Sequence, residues 1–67
     1  MNRGDRVTFV DANGSTHEAE VRNVFDANDP HSAINLHVLN DPAETQERTS
    51  VANEANKQPG AAFWRAK

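Results

Sequence analysis

Apolar and polar residues alternate along three stretches of the chain. Arg6 to Val10 places Val7 and Phe9 on one face, and Thr16 to Phe25 places Ala19 and Val21 on one face. Ala33 to Leu39 sets Ile34, Leu36 and Val38 against Asn35, His37 and Leu39. A period of two is the signature of a half-buried strand, so these three stretches predict strands. Val24 and Phe25 are adjacent and break the alternation, which marks a bulge or the end of the second strand. Asp11 to Ser15 is the clearest turn, and Asp26 to Ser32 is a second loop. Both loops begin Asp-Ala-Asn, which we read as shared turn chemistry and not as a repeat, because Asx side chains bond the nearby backbone wherever they occur.

The first hairpin has a register that the pattern itself selects. A two-residue Asn13-Gly14 loop sets Val7 opposite Glu20 and Phe9 opposite Glu18, which puts carboxylates on the apolar face. A three-residue loop, Ala12-Asn13-Gly14, sets Val7 opposite Ala19 and Phe9 opposite His17. It keeps the apolar face consistent, with Gly14 as the left-handed residue of a turn-plus-bulge loop.

After Leu39 two readings compete. Asp41-Pro42-Ala43-Glu44 has the cap, the Pro and the Glu of a helix start. The segment that follows has Val51 as its one large apolar residue, so a helix there has little to pack with. We favour a polar loop to Arg48 and a short strand near Thr49 to Ala52. Pro59-Gly60 is a break, and Ala62 to Arg65 is a last short strand or turn carrying Phe63 and Trp64. The architecture expected is all-β: a small barrel or strongly curled antiparallel sheet, with one long polar loop.

Composition narrows this picture. The 67 residues suit a single domain, and chains of this size bury only roughly 60% of their unfolded surface. Leu, Ile, Val and Phe total 12 residues, a fraction of about 18% that borders on disorder, but the net charge of −3 is modest and the apolar residues are patterned. The chain therefore reads as folded with a thin core, in which Phe9 and Phe25 are both expected. A domain this thin often gains stability from a partner or from self-association, so a homo-oligomer is one expectation. With no Cys there is no disulfide framework and no thiolate metal site. No apolar run is long enough to span a membrane and the first residues are too polar for a signal peptide, so the expected place is the cytoplasm. The seven Lys and Arg residues are scattered and the balance is acidic, which argues against a general nucleic-acid binder.

The opening Gly4-Asp5-Arg6-Val7, the Asn13-Gly14 turn and the Ala19-x-Val21 strand resemble SH3-like barrels of the KOW and Tudor type. The whole chain also resembles small barrel proteins of tailed phages and prophages, in the opening, in Ile34-Asn35-Leu36-His37-Val38 and in the terminal Phe63-Trp64. That resemblance implies a fold and a viral origin, which would place the protein in the host cytoplasm. It does not carry a function, because such barrels bind many classes of partner. A Tudor-type cage needs several aromatics around a cation, and this chain has four aromatics and no Tyr.

Few residues suggest chemistry. His17 and His37 lie on expected strands, and with Asp26 or Asp29 they could approach a metal, but no pair has the spacing of a known site, and no metal is expected. The Asp-Ala-Asn loops miss the spacing of a calcium loop and lack its terminal Glu. Ser15, Ser32 and Ser50 lie in polar stretches with no nucleophile context. The chain is therefore expected to be non-enzymatic and to carry no cofactor. Phe63-Trp64-Arg65 stands out, since Trp and Arg are enriched in binding hot spots. Trp64 could stack on a ligand beside Arg65, or it could close the bottom of the barrel. Adjacent strand residues face opposite sides, so one of the two aromatics belongs outside. Asn35 and His37, with Leu39, offer a mixed outer stripe for a ligand or an oligomer contact.

The expectation is a binding module of phage type, occupying a host protein or sequestering a small anionic, nucleotide-like ligand, as an anti-defence protein would. The alternatives are a minor virion component and, last, a nucleic-acid-binding barrel.

Overall fold

The computed structural model describes residues 1–39 and 47–67. Among these residues five strands form one antiparallel sheet: β1 Arg6–Val10, β2 Thr16–Val24, β3 Ile34–Val38, β4 Glu47–Val51 and β5 Phe63–Arg65. A single 3-10 turn, η1 Glu54–Asn56, lies between β4 and β5. The order across the sheet is β4-β3-β2-β1-β5. The first four strands are therefore a meander, and the last returns to pair with the first. The end of β4 also reaches β5: Trp64 N donates to the Ala52 carbonyl at 2.9 Å, and Asn53 bridges Trp64 in parallel. The all-β expectation holds, as a sheet curled into a half-barrel.

The β1–β2 hairpin has the register selected by its apolar pattern, with Val7 opposite Ala19 and Phe9 opposite His17. The loop that sets it is built as expected. Gly14 N donates to the Asp11 carbonyl and Asp11 N to the Ser15 carbonyl, both at 2.9 Å, and Gly14 has φ +87°. Such a φ costs an L side chain its comfort and costs glycine nothing.

The core lies on the concave face. Val7 and Phe9 of β1, Ala19 and Val21 of β2, and Ile34, Leu36 and Val38 of β3 alternate into it. Val51 and Trp64 close it from the two outer strands. Leu39 continues onto β2 through its amide, which donates to the Glu18 carbonyl at 2.8 Å.

Two bulges break the alternation, both at places the sequence leaves ambiguous. One lies between Val21 and Asn23, and by shifting the alternation it turns Val24 instead of Phe25 toward the core. Val24 packs against the core but Phe25 is 53% exposed, so the expected core role of Phe25 is corrected. The second bulge lies in β4 opposite Ile34 and Leu36, where Ser50 takes φ +54°. The short strand near 49–52 is present and begins two residues earlier than its pattern shows. The helix start at Asp41 to Glu44 falls outside the described residues, as does most of the long polar loop.

Candidate functional site

Alternation along β5 decides where each aromatic goes. Trp64 stands opposite Phe9 on the concave side and is 1% exposed. Its indole Nε1 donates to the Ser32 carbonyl at 3.1 Å. The stacking role considered for Trp64 is therefore corrected: the ring is enclosed, and its one donor is already used. Phe63, opposite Val10, points to the outer face and is half-buried.

Around Phe63 the structure opens a groove of about 220 Å³. One wall is the β1–β2 turn, with Asp11, Ala12 and Gly14; the other is the segment Lys57 to Ala61. Val10 and Phe63 lie between them. Val10 is 6% exposed although it lies on the outer face, so β1 is apolar on both sides at this end. The second wall is shaped by a turn in which Ala61 N donates to the Gln58 carbonyl at 3.1 Å. Pro59 and Gly60 are its central residues, and Gly60 has φ +76°, the arrangement of a type II turn. Lys57 follows η1, and its Nζ sits 4.5 Å from the centre of the Phe63 ring.

Asp11 is the carboxylate of the groove. Its Oδ1 accepts from the amides of Asn13 and Ser15 at 2.9 and 3.0 Å, and its Oδ2 accepts from His17 Nε2 at 3.0 Å. The His17 bond first, and then the Ser15 and Asn13 amides, hold the Asp11 carboxyl below its usual value, against a partial opposing effect of desolvation.

The other residues singled out in the sequence do not converge on this groove. Arg65 does not line it, and lies two residues beyond Phe63 on the same face of β5, opposite Thr8. Asn35 is on β3, where its Oδ1 accepts from Ser50 N at 3.0 Å and props the β4 bulge. His37 is on the outer face of β3, with Nδ1 3.1 Å from Glu47 Oε1. His17 lies opposite Phe9 on the other face of the sheet, so the two histidines do not meet. Among the described residues no cluster of three metal-ligating side chains is present.

Three residues of consequence carry no signal in the sequence. Ser32 is buried, and its hydroxyl donates to the Ala33 carbonyl at 2.7 Å while accepting from Asp26 N at 2.9 Å. Asn53 is buried as the cap of η1, accepting from Ala55 N. Lys57 becomes part of a site only because η1 carries it back to β5. Among the described residues no helix is long and apolar enough to cross a membrane. Compared with known proteins, the chain matches no family model, no curated protein and no solved structure at a significant level.

Proposed function

We propose that this chain is a non-enzymatic binding domain that docks a protein partner in the groove between the β1–β2 turn and the Lys57–Ala61 segment. The observation that carries this reading is the apolar floor outside the core: Val10 and Phe63, on the outer face of the sheet, between two glycine-containing turns. Aromatic side chains at the centre of a contact supply much of its energy.

A small-ligand version has less support. Pockets for such ligands run to about 300–1,000 Å³, and this groove is smaller and shallow-walled. The aromatic considered for nucleotide stacking, Trp64, also belongs to the core. Three of the polar side chains that a catalyst could use already hold partners. Ser32 bonds backbone, His17 bonds Asp11 and His37 bonds Glu47. The phage-type resemblance points to a host protein or a virion neighbour as the partner to seek.

The test places a photo-crosslinking residue at Ala12 or Ala61 in the groove and, as a control, at Thr49 on β4. A protein captured from both groove positions is then purified and its affinity measured against the wild type and Phe63→Ala, with circular dichroism confirming the fold. The expected result is weaker binding by about tenfold or more. Unchanged affinity for Phe63→Ala rejects the groove as the docking site.

A further inference from the structure

We infer that the groove takes an extended acidic segment of its partner, with Lys57 and Arg65 receiving carboxylates two residues apart; this rests on the docking reading above. Two cations eight positions apart in the sequence each have a relation to Phe63. Phe63 and Arg65 share the outer face of β5, and the Lys57 ammonium sits over Phe63.

Neither Lys57 nor Arg65 has a carboxylate partner among the described residues, nor do Arg3 and Arg6, whereas Lys67 and Arg22 do. Lys67 Nζ holds both oxygens of Glu18 at 2.7 and 2.8 Å, and Arg22 holds Glu20 at 3.2 Å. In a chain of net charge −3, two unmatched cations beside an apolar groove fit an anionic partner. The groove's own carboxylate does not fill that role, because Asp11 already accepts from two amides and His17.

Spacing favours a peptide. Alternate residues of a strand lie roughly 6–7 Å apart, and an extended peptide presents its alternate side chains at the same interval. A residue of one face can then meet Lys57 over Phe63 while the next on that face meets Arg65. A nucleic-acid strand fits less well, since its charge is continuous. Beyond the groove on this outer face, Glu18 and Glu20 stand opposite Thr8 and Arg6. A line of phosphates would cross them, and a peptide with two placed carboxylates would not.

The experiment titrates the isotope-labelled protein with three short probes: a peptide alternating Glu and Leu, its Gln and Leu counterpart, and oligothymidylate. Amide shifts report where each binds. The expected result is that the Glu peptide moves the amides of residues 10–14 and 57–65 and binds about tenfold tighter than the Gln peptide, with an advantage that shrinks as salt is raised. Lys57→Gln with Arg65→Gln, both at exposed positions, should erase that advantage while leaving the spectrum folded. Equal affinity of the Gln peptide with shifts in the groove overturns the acidic specificity and leaves the docking reading standing. Tighter binding of the oligonucleotide replaces the peptide with nucleic acid. Shifts elsewhere, or none with any probe, overturn the inference, and the docking reading is then decided by Phe63→Ala against the purified partner.

Discussion

Asp11-Ala12-Asn13 and Asp26-Ala27-Asn28 are the same tripeptide at two ends of one strand, and they start the same turn. In each, the Asp Oδ1 accepts from the amide two residues on, at 2.9 and 3.0 Å. In each, the Asp carbonyl accepts from the amide three residues on, Gly14 at 2.9 Å and Asp29 at 3.1 Å. They part at that fourth residue. Gly14 takes φ +87° and the chain returns at once as a hairpin, leaving the turn exposed as a groove wall. Asp29 is followed by Pro30 and further turns, in which His31 N donates to Asp29 Oδ1 and Ser32 N to the Asp29 carbonyl. That loop closes inward: Ser32 ties it to Asp26 and to Trp64, and Asn56 Nδ2 donates to the His31 carbonyl at 3.3 Å. Local chemistry starts a turn, but the residues that follow decide whether it serves the core or the surface.

The largest effect expected from breaking this contrast is at Trp64. Trp64→Ala removes the anchor of the second loop and a ring of the core, and should cost roughly 3–5 kcal/mol, comparable to the whole stability of a domain this small. Urea denaturation followed by circular dichroism measures it. Trp64→Phe keeps most of the apolar ring and loses the donor to the Ser32 carbonyl, so it should lie well below the Ala variant in cost.

Next comes Ser32→Ala, which leaves the amide of Asp26 without its acceptor. A loss of about 1–3 kcal/mol is expected in the same denaturation experiment. A neutral result would mean that the second loop is held by its backbone turns alone.

Gly14→Ala should cost less, about 1–2 kcal/mol. No atom stands within 4 Å of where its Cβ would sit, so the whole penalty is backbone strain. A variant at this position that matches the wild type in midpoint would contradict the left-handed turn.

The smallest effect is electrostatic. Asp11 is held below its ordinary value of 3.8 in the folded chain. A lowered carboxylate pKa adds stability that is fully present above the unfolded value and is lost as the pH falls below it, through the folded value. The thermal midpoint of the wild type should therefore show a small additional fall below about pH 4 that Asp11→Asn lacks. Equal acid profiles for the two proteins would show that the Asp11 bonds are not maintained in solution.

Much of the fold is legible in the sequence because the core obeys a simple rule. Val7 and Phe9 cannot face Glu18 and Glu20, so the hairpin register follows. Ile34, Leu36 and Val38 enter the core on alternation alone. What the pattern does not reveal is where alternation is interrupted. The bulge near Arg22 shifts the end of β2, so Phe25 goes outside, against expectation, while Trp64 goes in. Phe63 and Trp64 are adjacent and equally apolar, so sequence shows only that they part, and the pairing with β1 settles which is which. The groove is less legible still. Its walls come from residues far apart in the chain, and Lys57 in a polar stretch looks like any solvated charge. Ser32 likewise sits in a loop that composition marks as surface.

On the docking reading, Trp64 is a structural anchor and Phe63 is the aromatic offered to a partner. Trp64 is the single tryptophan of the chain, so its fluorescence reports on it alone. Acrylamide quenching of the folded protein, compared with the same protein in urea, tests the claim most directly. The folded protein should show blue-shifted emission and quenching several-fold weaker than in the unfolded chain. Emission and quenching equal to those in urea, from protein that circular dichroism shows to be folded, would place Trp64 at the surface and return the ligand-stacking role to it.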